Sequence, residues 1–166
     1  MKDKSNNLAQ QFIDAYENGA FPFLHAVHME PVEIGDGKGS LKIVLNDSHL
    51  RVGAIMHGGV ASALLDTALG LAAATRAPKQ HDVVTAQMNI NFIKAARIGE
   101  ELIGEGTILH SGRRTCVAEG RIHNQTGELI AAGSGTLLYV PMPSEDAEML
   151  IALGERKEGG GGLSGA

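Results

Sequence analysis

The residues best suited to chemistry fall in one stretch, IMHGGVASALLD, residues 55–66. His57 precedes two glycines, an apolar run follows, and Asp66 interrupts it nine residues after the histidine. The segment 58–75 is apolar on nearly every face, and a helix of that kind is a buried one. The first turn of a helix exposes unpaired N–H groups and the positive end of its dipole. Gly58 and Gly59 carry no side chain to shield those groups, so a ligand oxygen can approach and a developing oxyanion can be held. His57, just ahead of them, can donate a hydrogen bond or orient a carbonyl. A carboxylate in the middle of a buried helix is costly to desolvate unless paired. The positions one turn away from Asp66 are Ser62 and Gly70, both small, which leaves room beside it. The plainer readings are a helix start with a flexible glycine pair, and an Asp that accepts a hydrogen bond from a core or interface group.

Spacing decides how the two can cooperate. Nine residues of helix rise about 13.5 Å and rotate about half a turn beyond whole turns. Within one chain His57 and Asp66 therefore cannot flank one reacting atom. If both act, the Asp must come from another subunit, and a two-fold dimer can supply it, giving two shared sites.

The elements that must position these residues are legible in outline. In 4–18, Leu8, Phe12, Ile13 and Tyr16 recur at helical spacing, and Gly19 is placed to end that helix. A strand is expected around Ala26–Ile34, a turn in GDGKGS (35–40), and a strand in 40–46, the pair making a hairpin. After the buried helix, with Pro78 behind it, come strand-like runs to the end. Val83–Lys94 alternates, with Met88, Ile90 and Phe92 on one face and Gln87, Asn89 and Asn91 on the other. Runs at 101–110, 115–123 and 128–140 follow, the last two joined by the turn NQTG. The order predicts an α+β fold, an antiparallel sheet wrapped on one helix. Gly104, Gly106, Gly120, Gly133 and Gly135 lie inside strands, where glycine marks a bend or a close backbone approach.

Bulk properties narrow the class. The chain has 166 residues, 43% hydrophobic and 20% charged, which fits one globular domain. A net charge of −5 without a basic tract argues against a nucleic-acid partner. Residues 1–12 carry no apolar segment behind their lysines, so a signal peptide is not expected, and Val60–Ala74 is too short to span a bilayer. A soluble cytoplasmic protein without a membrane association is the expectation. The single Cys116 excludes an intrachain disulfide and reads as a packed core thiol; the seven histidines show no metal-binding spacing, so no metal is expected. The organisation expected is an N-terminal helical extension over 1–20, one domain over 21–142, and a C-terminal segment over 143–166 ending in a flexible glycine-rich tail.

HGGVASALLDTA, followed by VTAQMNINFIKAARIGEEL, GRRTCVAEGRI and GELIAAGSGTLLYV, resembles the hotdog-fold acyl-CoA thioesterases, in particular the PaaI-like branch of the 4-hydroxybenzoyl-CoA thioesterase superfamily. The resemblance covers roughly residues 22–140. It implies a curved antiparallel sheet around one long helix, dimers joined edge to edge, and pairing of dimers into tetramers. It implies that the Gly58 N–H polarises a thioester carbonyl, that His57 orients it or the water, and that Asp66 of the partner is nucleophile or general base. Thr85 matches a position that assists the attacking water, and His49 matches a histidine common in the family. Arg51 stands where many members have Asn, and Ala54 where a Gly is usual. Gly59, His49, Arg51 and Asn89 are the remaining candidates for substrate contact, and Lys94, Arg97, Arg113 and Arg114 offer cations for CoA phosphates. No cofactor is implied beyond the CoA of the substrate. Two other readings of such a fold are a dehydratase or hydratase, which usually carries its His in a proline-rich loop not seen here, and a non-catalytic acyl-CoA binder, which needs an output module.

Overall fold

The computed structural model describes residues 3–142. Helix α1 (Asp3–Glu17) closes as its sequence requires: Gly19, at φ 79°, donates to Tyr16 O, and Ala20 donates to Ala15 O. That is the paired C-terminal closure in which a left-handed glycine satisfies the last carbonyls. The Phe12 ring stacks on Phe21 and the Tyr16 ring on His25, each at 4.4 Å between centroids, which seats the helix beside the body.

The strand expected from Ala26 is corrected. Pro22–Ala26 forms a short helix, α2, with Pro22 in its first turn where a missing N–H costs nothing. His28 then takes φ 52°, turning the chain so that Met29 is fully buried and β1 begins only at Glu30. β1 (Glu30–Gly35) and β2 (Lys38–Val44) form a hairpin over Asp36 and Gly37, both at positive φ (49° and 80°), the geometry of a two-residue turn that matches strand twist. The turn is thus shorter than GDGKGS, and Lys38–Ser40 are strand. A 3-10 turn (Asp47–His49) and a minimal hairpin, β3 (Leu50–Arg51) and β4 (Ile55–Met56), lead into α3 (Gly58–Ala74). The helix stops one residue before Thr75, whose hydroxyl donates to Ala72 O and accepts the N–H of Gly37. Then follow β5 (His81–Phe92), β6 (Glu101–Ser111), β7 (Thr115–Asn124) and β8 (Leu129–Pro141).

The six main strands form one antiparallel sheet in the order β1-β2-β6-β7-β8-β5, leaving β5 as an unpaired edge of twelve residues. The concave face closes on α3, burying Leu64, Leu65, Ala68, Leu69 and Ala72 against Leu41, Ile43, Leu102, Ile122 and Leu137. Cys116 lies in this core, and burial pushes its thiol upward in pKa. The sheet reaches the helix at glycines. A Cβ on Gly106 would fall 2.6 Å from the Ala68 carbonyl carbon and closer still to its oxygen. One on Gly39 would fall 2.5 Å from Leu71 Cβ. Gly104 and Gly106 were expected at such approaches; Gly39 belongs with them although it reads as part of a turn. Among the described residues no helix is long and apolar enough to cross a membrane. The expected C-terminal segment, 143–166, with its glycine-rich tail, lies outside the described residues.

Candidate active site

The start of α3 is built around His57. Its Nδ1 accepts the Gly59 N–H at 2.9 Å, making it the N-cap. An acceptor Nδ1 leaves the ring proton on Nε2, so the exposed edge of the imidazole is a donor. Its carbonyl accepts Val60 N–H at 3.0 Å. The Gly58 N–H is left with no partner among the described residues, beside the half-exposed ring of Phe92. An amide without a partner among the described residues and a ring N–H therefore both stand at one exposed helix start, donors of the kind a developing oxyanion needs. Gly59, a candidate for substrate contact, has its N–H committed to His57.

This arrangement separates capping from chemistry. His57→Ala removes the acceptor for Gly59 N–H and is expected to cost about 1 kcal/mol of stability. His57→Asn keeps a capping oxygen and is expected to stay within a few tenths of a kcal/mol of the parent in a denaturant melt. Both lose the Nε2 donor, so both should lose activity alike. An Asn variant with parental turnover would show that His57 only caps.

Asp66 lies about two and a half turns further on, on the half-buried side of α3. Its Oδ1 accepts the Thr85 hydroxyl at 2.7 Å. No cation pairs with it among the described residues. The other hydroxyls on this side of the helix, Ser62 and Thr67, are satisfied by carbonyls of the preceding turn, Gly58 O and Ala63 O. Thr85 reaches Asp66 because of a β-bulge. Thr85 pairs with Leu137 and Gln87 with Thr136, which leaves Ala86 as an extra residue. Strict alternation would put Thr85 on the same face as Asn89. The bulge puts it on the concave face with Met88 and Ile90, as bulges near functional sites commonly re-aim a side chain.

The other candidates fall elsewhere. Asn89 is exposed on the convex face, opposite to Asp66, and does not join the site in the protomer. His49 is corrected from a substrate contact to an internal one: it is 2% exposed, with Nδ1 accepting Asn46 N–H and Nε2 donating to Val27 O. Arg51 is exposed and donates to Val52 O next door. Lys94 lies at the His57 end but is ion-paired with Glu128, which also accepts from Asn124. These partners hold the Glu128 carboxyl below the usual range, Lys94 first among them. Arg113 and Arg114 are exposed in the β6–β7 turn. β6 runs along α3 from Gly104 at Leu64, through Gly106 at Ala68, to Ile108 beside Gly37 and Arg76, so that turn lies beyond the far end of the helix from His57. An open cleft of about 500 Å³ lies at the same end, with Lys38, Arg76 and His110 in its lining. It is remote from the His57 end and does not hold the candidate site. Phe92, at the end of β5, is 58% exposed in the protomer and lies against Gly58. Among the described residues no cluster of His, Cys, Asp or Glu is arranged to hold a metal ion.

Comparison with known proteins places this geometry. The family model described as "Thioesterase superfamily" matches residues 53–131, a span that contains both His57 and Asp66. The chain is 31% identical over 110 residues to "Putative esterase SSO1253" of Saccharolobus solfataricus, covering 66% of this chain and 72% of that one. It is 30% identical over 93 residues to mouse "Acyl-coenzyme A thioesterase 13", covering 55% and 66%. Among solved structures it is similar to a hypothetical thioesterase protein with coenzyme A from Streptococcus pneumoniae, with a TM-score of 0.68, 27% identity, and coverage of 78% of this chain and 99% of that one. The exposed helix start, the carboxylate held by Thr85 and the sheet curled round one helix together with these matches identify the chain as a member of the thioesterase superfamily, a thioester hydrolase of the hotdog fold.

Proposed function

We propose that this protein hydrolyses acyl-CoA thioesters at sites shared between two subunits. The observation that supports the reading is that one protomer carries both exposed donors and a carboxylate without an ion pair among the described residues, and holds them apart. The donors are at His57 and Gly58; the carboxylate, with Thr85, is in the middle of the same helix. The thioester oxygen accepts the Gly58 N–H, with His57 Nε2–H beside it. Asp66 of the other subunit takes a proton from water as the water adds to the carbonyl carbon, or attacks that carbon itself. Collapse expels the CoA thiolate, which leaves as the thiol with the proton that the water has given up; after direct attack, water cleaves the mixed anhydride, freeing the acid and Asp66 and protonating the thiolate. The names of the mouse and S. pneumoniae relatives support CoA as the leaving group.

The free β5 edge supports a two-fold dimer. A long unpaired edge is a ready pairing surface, and Val84, Phe92 and Ile93 along it are exposed apolar residues. Antiparallel pairing there turns the far end of one α3 toward the His57 end of the other. Arg113 and Arg114 of the Asp66 subunit are then placed to meet CoA phosphates. Dimers pair further into tetramers, and the protein acts in the cytoplasm, where Cys116 stays reduced.

Hybrid dimers test the shared site. Co-expressed His57→Ala and Asp66→Ala chains are each inactive alone. Random pairing makes half of the dimers hybrids, each with one intact site of two, so about a quarter of wild-type CoA release should return. No recovery in dimers shown to be mixed would mean that each site is built within one chain.

A further inference from the structure

His49 is a buried histidine for which the reaction has no use, yet its bonds reach the start of α3. The loop from Asn46 to His57 carries the chain from β2 into that helix. Asn46 Oδ1 accepts Ser48 N–H at 2.9 Å and shapes the 3-10 turn. The His49 imidazole ties that turn to the body, accepting Asn46 N–H at 3.0 Å and donating to Val27 O at 3.1 Å. The His49 carbonyl then accepts the N–H of His57 at 2.8 Å. One residue thus fixes the turn through its ring and the N-cap through its backbone.

We propose that His49 is a positioning residue of the hydrolytic site, whose neutral ring holds His57 and the Gly58 amide in place and whose protonation releases them. The proposal rests on the thioesterase reading above for its activity readout. An imidazolium carries a hydrogen on Nδ1, so donor would face donor at Asn46 N–H. Among the described residues no carboxylate pairs with the ring to compensate a buried charge. Of the titratable groups nearby, Asp47 lies on its own exposed turn and His57 at the far end of the loop. Glu30 and Lys42, near His28 and Asn46, are paired with each other at 3.0 Å. His28, edge-on at 5.9 Å from the connection before β1, repels a second positive charge. Burial first, and His28 with it, hold the His49 ring below its ordinary value, against the opposing Val27 bond. The folded chain then binds fewer protons than the unfolded one as the pH falls through about 6.5. The closed loop is therefore most stable above that value and loosens below it.

The experiment combines pH profiles with amide spectra. Acyl-CoA hydrolysis is followed by loss of thioester absorbance for wild type, His49→Asn and His49→Gln. The expected result is a kcat lower by on the order of 10–10²-fold with KM within about twofold, and an acid limb flattened relative to wild type. In wild-type protein alone, the Gly58 and Gly59 amide shifts should follow the titration of the His49 ring. That measurement decides the matter even where a variant does not fold. An unaltered acid limb in His49→Asn, parental kcat, or amides that follow only the His57 ring would overturn the proposal. Amides that follow His49 in a protein that turns over no acyl-CoA would sustain the loop device and sink the functional reading instead.

Discussion

Asp66→Ala is expected to lower CoA release by about 10²–10⁴-fold, the range for loss of a positioned acid–base group, while the chain still folds and dimerises. The carboxylate is half-buried, holds no ion pair among the described residues, and has one bond there, from Thr85. Its removal leaves no buried charge uncompensated, because the Thr85 hydroxyl remains exposed to water. Alanine is also the better helix former, by about 0.5 kcal/mol. The variant's melting temperature should therefore equal or exceed the parent's. A functional group kept at some cost in stability shows that signature when it is removed. Thiol release from a panel of acyl-CoAs, a thermal melt and sedimentation check the three parts. Turnover unchanged in a folded dimer would remove Asp66 from the mechanism.

Gly106→Ala has the largest expected effect on the fold. The added Cβ would lie 2.6 Å from the Ala68 carbonyl carbon, a contact with backbone rather than with a movable side-chain end. α3 is fixed across the sheet by Leu64, Leu65 and Leu69, all fully buried, so it cannot retreat locally. Overpacking of this kind costs about 1–3 kcal/mol and sometimes more. The expected shift is roughly 2–12 °C in melting temperature. Because β6 and α3 carry the spacing between His57 and Asp66, catalysis should fall with stability. A denaturant midpoint equal to the parent's would show that the sheet can move off the helix at no cost.

Much of this was legible in the chain itself. Period-3.6 patterning in 4–18, with Gly19 behind it, marks a helix and its end because those are local backbone properties. The alternation of Met88, Ile90 and Phe92 marks one face of β5 for the same reason. The strand glycines pointed to a sheet in close contact with a helix, since few other roles in a strand interior suit a residue without a side chain. The nine-residue interval between His57 and Asp66 already forbade a site within one helix, because helical rise is a constant of the backbone.

What the chain could not reveal depends on non-local partners. Alternation cannot announce a bulge, and only the pairing of β5 with β8 sets Thr85 on the face opposite Asn89. Sequence spacing cannot tell a histidine that faces a ligand from one that faces Val27 O, and the tertiary structure turned His49 inward. Lys94 read as a free cation until the fold brought Glu128 to it from thirty-four residues away. Arg113 and Arg114 are legible as cations in a turn, but only the direction of β6 along α3 sets them at the end of the helix far from His57. Local chemistry thus marked His57 and Asp66 in IMHGGVASALLD as the groups suited to chemistry. The long-range packing of sheet on helix decided which side chains stand beside each, because register, bulge and burial arise only when distant segments meet.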